Sequence, residues 1–133
     1  MIELEAAIEQ AEQRMSQERF VWSKNDCNII MADYVLSLTG VDLIGSYRNA
    51  YSDEETAKAL QLRLGGPLAS VENAFNSIGI KSKLEHVRGD VILADFGEFS
   101  AVGLSLGLFM LFKSPNRSFR IRYANLMGAW TCV

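Results

Sequence analysis

At 133 residues, with 49% hydrophobic and 22% charged side chains, the chain fits one globular domain, residues 1–133, that buries roughly two-thirds of the surface its unfolded form exposes. Its net charge of -3 excludes a nucleic-acid partner held by a basic surface, which needs a concentrated excess of Lys and Arg. The longest apolar run, Ala101 to Phe112, is too short to span a bilayer, so no membrane association is expected.

Residues 2–17 place Ile2, Leu4, Ala7, Ile8, Ala11 and Met15 at spacings near three and four, which predicts an amphipathic helix. The next helix should start at Asn25 or Asp26, either of which can cap free backbone N–H groups, and stop at Gly40. Its apolar face carries Cys27, Ile30, Met31, Tyr34, Val35 and Leu38, widened by Ile29, Ala32 and Leu36, so this helix is expected to be central and mostly buried. After the polar segment "SYRNAYSDEE", Ser52 or Asp53 can cap a third helix running to about Leu64, where Gly65-Gly66-Pro67 ends it. "LASVENAFNSIG" reads as a further short helix closed by Gly79.

From Ile80 onward the period changes. "IKSKLEHV", "DVILADF", "SAVGLSLG", "LFMLFKS", "FRIRY" and "GAWTCV" all read as strands separated by short turn signals. Strands joined by such short links pair antiparallel. The fold class is therefore α+β, with N-terminal helices, one of them a buried Cys-bearing helix, packed on a C-terminal antiparallel sheet.

Two segments differ in charge. Residues 1–18 carry Glu3, Glu5, Glu9, Glu12 and Glu18 against Arg14 alone, whereas "KSPNRSFRIR" carries Lys113, Arg117, Arg120 and Arg122 with no acid. Both suit solvated faces, and they are also the expected docking surfaces for a protein partner, or for head-to-tail homo-oligomers.

Two cysteines, Cys27 and Cys132, imply no disulfide framework and suit a reducing compartment, and no charged-then-apolar leader opens the sequence, so no signal peptide is expected. One histidine and two distant cysteines offer no zinc-site spacing, and no glycine-rich phosphate loop opens a helix, so neither metal nor cofactor is expected. Cys27 is the candidate for chemistry. A thiol in the first turn of a helix lies in the positive end of the helix dipole, which favours thiolate, although a lone cysteine on an apolar face also serves as a small core residue.

"FVWSKNDC", then "ADYVLSLTG", "RGDVILAD" and the Gly-rich "AVGLSLG", together resemble the NlpC-type cell-wall cysteine peptidases, papain-like enzymes that cut peptidoglycan stem peptides. The resemblance implies a papain-like fold and matches Phe20 and Trp22 to the aromatic lead, Asp26 to the acid beside the nucleophile, Cys27 to the nucleophile, and Gly89-Asp90 to a Gly-Asp pair. Ala101-Val102-Gly103-Leu104 falls where that family has His-Val-Gly, so Ala101 holds the place of the catalytic histidine. Ser23 replaces a customary glycine, and no histidine follows Ala101 to orient a base. The sole histidine, His86, is a weak substitute for the base, since it lies outside the matching motif.

A short phage- and prophage-associated branch of that superfamily is the nearer likeness, through Asp26-Cys27, Ala32-Asp33, Thr39-Gly40 and Ala129-Trp130. It implies a non-catalytic or weakly active domain in a phage tail or its assembly, with phage proteins as partners and residence in the bacterial cytoplasm during assembly or in the virion. The alternative is a thiol hydrolase that binds peptidoglycan peptides and attacks them with Cys27.

Overall fold

The computed structural model describes residues 1–133 and has an α+β architecture. Four α-helices come first: α1 (Leu4–Gln17), α2 (Cys27–Thr39), α3 (Glu54–Arg63) and α4 (Pro67–Asn76), with one 3-10 turn at Gly45–Tyr47. Five strands follow: β1 (Val91–Asp95), β2 (Ser100–Ser105), β3 (Met110–Lys113), β4 (Ser118–Ile121) and β5 (Asn125–Trp130). They form one sheet in the order β4-β3-β2-β1-β5, and every neighbouring pair is antiparallel. No helix is long and apolar enough to cross a membrane.

Period-two alternation divides the strand residues between two cores. Val91, Leu93, Val102, Leu104 and Leu111 join Ala7, Ile8, Ala11 and Met15 of α1 and Ile30, Met31, Tyr34 and Val35 of α2 in the main core. Ile92, Ala94, Ala101, Met110, Phe112 and Ala129 form a second cluster on the opposite face. Ile121 of β4 and Leu126 of β5, from opposite edges of the sheet, both pack on that second cluster. The sheet therefore curves around it. The ring centroids of Phe96, just past β1, and Phe119 of β4 are 5.7 Å apart, whereas a flat sheet would set strands three places apart about 14 Å from one another. Curvature also brings β2 close to β3: a Cβ on Gly103 would lie 2.5 Å from the Leu111 carbonyl oxygen and 2.6 Å from the Phe112 ring.

The helix ends follow local chemistry. Asp26 caps α2 by accepting from the Ile29 N–H, and Gly40 closes it in the left-handed conformation at φ 78°. Asp53 and Thr56 form a reciprocal capping box at α3. Lys113 closes α1 from a distance: its buried ammonium donates to the Met15 carbonyl at 2.9 Å and to the Glu18 carbonyl. Burial lowers the Lys113 pKa from its ordinary value.

Some expectations are corrected. "IKSKLEHV" is an irregular segment with a single bridge, Lys83 to Ala129. Its Leu84 and Val87 face solvent, so the segment has no sheet face to fill. The third strand begins at Met110, since Leu108 and Phe109 sit in the preceding turn, and the last strand starts earlier than expected, at Asn125. Leu36, expected to widen the buried face of α2, is 38% exposed. The acidic helix and the basic hairpin meet within the chain: Arg120 pairs with Glu12 at 2.6 Å, and Arg88, beyond the hairpin, pairs with Glu5 at 2.9 Å. Lys113 is withdrawn from the surface altogether. Part of the opposite charge of the two segments is therefore spent within the chain, while Glu3, Glu9, Arg117 and Arg122 stay exposed.

Candidate functional site

The N-terminus of α2 is built around one buried carboxylate. Asp26 is 1% exposed, and its Oδ1 accepts from the Ile29 N–H at 2.9 Å. Its Oδ2 accepts from the Ser23 N–H at 2.8 Å and from the Tyr51 hydroxyl at 2.5 Å. Ser23 adopts φ 67°, the left-handed region in which glycine carries no steric cost, so the turn before Asp26 demands the backbone that a glycine supplies more easily. Trp22 is half-buried and meets Phe20 and Tyr51 edge to face at centroid distances of 4.9 and 6.5 Å. It fills the rim of this turn.

Cys27 follows as the first residue of α2 and is only partly covered. Backbone N–H groups of Val102 and Asn28 are directed at the sulfur and favour thiolate, but desolvation, followed by the negative charge of Asp26, pushes the thiol pKa up to about 12. The helix dipole is outweighed by the loss of solvent around the sulfur first and by the adjacent Asp26 carboxylate second. At neutral pH the group is a neutral thiol.

The structure does not bring the other sequence-singled residues to it. Ala101 packs with Ile92, Met110 and Phe112 in the second cluster, while its neighbour Val102 faces α2. A side chain at position 101 therefore points to the sheet face opposite the one that α2 covers. His86 Nδ1 is bonded to the Ser105 hydroxyl at 2.6 Å, three residues beyond Val102 along β2 and on the opposite sheet side. The Nδ1 atom is thus engaged by Ser105 and not by Cys27.

Asp90 is fully buried and structural. It accepts from the Val87 N–H at 2.9 Å and the Thr131 hydroxyl at 2.7 Å, and pairs with Lys83 at 3.0 Å. Those bonds fasten the irregular segment and the end of β5 to β1. Cys132 lies in this neighbourhood, where burial, then Asp90, pushes its thiol up to about 12. Both cysteine thiols are free.

Between α2, α3, α4 and the sheet lies a partly open cavity of about 370 Å³. Val91 and Val102 are at its floor, with Met31 and Val35 of α2 on one wall and Leu60 and Phe75 of α3 and α4 on the other. Asn28, Tyr51 and Val102, which flank Cys27 in sequence or space, belong to its lining, and no charged residue does.

The family described as a domain of unknown function (DUF6950) matches residues 2–132. The chain belongs to this family. No curated protein and no solved structure matches it.

In this DUF6950 domain, sequence reasoning missed Tyr51, whose hydroxyl completes the Asp26 site from 25 residues away. It also missed the ion network around Asp33, which accepts from Arg14 and Arg48 at 2.6 Å each and joins α1 and α2 to the loop before α3. The signal for both lay in "SYRNAYSDEE", where a Tyr and an Arg interrupt an otherwise turn-like stretch.

Proposed function

We propose that this domain is a non-catalytic NlpC-like module, one that works by binding in the assembly of a phage tail or a related particle. The non-catalytic part is carried by one observation: the Cys27 thiol is pushed up to about 12 by burial and by Asp26, and the only histidine is held by Ser105 on another part of the sheet. A papain-like thiol attacks as half of an ion pair whose imidazolium then protonates the leaving amine. Loss of general acid and base alone removes about 10²- to 10⁴-fold in rate.

The NlpC-like part is supported by Cys27 at the start of a helix on an antiparallel sheet, and by the Gly89-Asp90 pair that leads into β1. The left-handed Ser23 also supports it, since the resembled family has glycine there. The tail-assembly part rests on the sequence likeness to the phage-associated branch.

The test is muropeptide release from purified cell wall by the native chain, Cys27→Ala and His86→Ala. No release by any of the three, with slow iodoacetamide labelling of Cys27 at neutral pH, is the expected result. Robust release that Cys27→Ala abolishes overturns the reading in favour of a thiol hydrolase acting on peptidoglycan peptides.

A further inference from the structure

The cavity beneath α3 and α4 is larger than a packing defect. Its volume of about 370 Å³ falls within the range of small-molecule sites, about 300–1,000 Å³. It exists because the two helices that roof it contribute little to the core: α3 buries only Leu60 and α4 only Phe75. Phe75 reaches past the cavity to stack on Trp130 at 5.2 Å and so props the roof on β5. Leu43, Ile44, Leu64 and Val71 line the space while remaining only partly buried. Leu43 and Val71 also pack on the main core, so part of their apolar surface is covered and part is left to the cavity.

The lining states which chemistry would be accepted. No acid, base or histidine belongs to it, so a charged group placed inside would be desolvated without a partner. Of the seven polar side chains in the lining, Asn28, Tyr47 and Asn73 lie exposed at the rim, Gln61 is half-buried, and the other three are already committed. The Ser70 and Ser77 hydroxyls donate to the Pro67 and Ala74 carbonyls of their own helix at 2.9 and 2.6 Å, and the Tyr51 hydroxyl is given to Asp26. A peptide segment would bring a backbone donor and acceptor per residue into a space whose uncommitted polar side chains, Asn28, Tyr47, Gln61 and Asn73, lie toward its exposed rim and not along its apolar walls. A mainly apolar cavity with its polar groups toward the rim favours apolar guests in its interior.

We propose that this cavity is a binding site for an uncharged aliphatic chain, of the class of a medium-length fatty alcohol or the hydrocarbon part of a fatty acyl group. The walls are mainly Leu, Ile, Val, Met and Ala side chains, whose rotamers fit a flexible chain more readily than a flat polar ring system. The site stands apart from any reaction at Cys27, so it holds whether or not the thiol is inert.

The experiment uses the full chain and the neutral fluorophore N-phenylnaphthylamine, displaced by decanol, with thermal melting recorded in parallel. Fluorescence should rise on binding, fall again with decanol, and the melting temperature should increase with decanol concentration. Ala74→Trp, which projects a large ring from α4 into the space, should weaken decanol displacement by about tenfold or more, while circular dichroism reports whether the helices persist. Val71→Ala, which enlarges the cavity and introduces no new bulk, should keep the fold and shift preference toward a longer alcohol. Decanoic acid in its ionised form should compete more weakly than decanol. Absence of probe binding to the folded native chain, or displacement identical in the native chain and a folded Ala74→Trp variant, overturns the proposal. Stronger displacement by an apolar peptide than by decanol also overturns it and makes the cavity a protein-docking groove.

Discussion

The Tyr51 hydroxyl donates to Asp26 Oδ2 at 2.5 Å, which ties the loop before α3 to the cap of α2. The same bond, after desolvation, raises the tyrosine pKa above its ordinary value. Tyr51→Phe leaves one lone pair of a buried carboxylate unmatched and should cost about 1.5–3 kcal/mol. Asp26→Ala should cost more, since it strands the Ile29 and Ser23 N–H groups and the Tyr51 hydroxyl together. Urea denaturation of the two variants, with the double variant to close the cycle, measures the coupling. Equal stability of Tyr51→Phe and the native chain would show that the bond contributes nothing.

Alkali should destabilise the fold through its thiols. A Cys27 pKa of about 12 in the folded state, against the model-compound value of 9.0, means that the unfolded chain releases its proton first. The stability the buried neutral thiol contributes is complete below pH 9 and is lost as the pH rises toward 12. Cys132 adds to this with the same sign. Melting temperatures from pH 8 to 11 should therefore fall less steeply for Cys27→Ala than for the native chain. Parallel slopes would place the thiol in ordinary solvent. Iodoacetamide labelling of Cys27 should also keep rising across that range without reaching a plateau.

Removal of the Lys113 ammonium leaves the α1 carbonyls of Met15 and Glu18 without their donor. Lys113→Met keeps most of the side-chain volume and should still cost about 1.5–3 kcal/mol, the range for a hydrogen bond to a charged group. The denaturation midpoint should fall, and amide exchange in the last turn of α1 should speed up more than exchange in β1. Uniform acceleration across the chain would contradict a local capping role.

Gly103→Ala should be among the more damaging single-methyl additions, because the new carbon would meet backbone, the Leu111 oxygen at 2.5 Å, as well as the Phe112 ring. The strands would have to separate, at a cost of about 1–3 kcal/mol or more. The checks are thermal melting and near-ultraviolet circular dichroism, the latter reporting the phenylalanine cluster. An unchanged melting temperature would refute the close approach.

Features decided by neighbours in sequence were legible before any coordinates: the Asp26 cap, the Gly40 stop and the change of period after residue 80 all follow from local rules. Features decided by facing were not. Adjacent strand residues point to opposite faces, so nothing in "SAVGLS" told which of Ala101 and Val102 would look toward Cys27. The segment 80–87 read as a strand, yet it is held by the carboxylate of Asp90 and by Lys83, contacts that local sequence does not encode. Lys113 was read as part of a basic surface because its partners lie 95 and 98 residues away. The cavity was invisible for a similar reason: α3 and α4 read simply as short helices, and only their placement leaves space beneath them.

The order of synthesis runs against the wiring of the first helix. α1 leaves the ribosome before the rest of the domain, yet Arg88, Lys113 and Arg120, which secure its side chains and its final turn, lie 83 to 108 residues further on. A nascent chain cut short anywhere before β3 carries an N-terminal helix with an apolar stripe and an open end, the kind of surface that chaperones hold and neighbouring chains aggregate through. Completion of the sheet is thus also the event that makes the beginning of the chain safe to release.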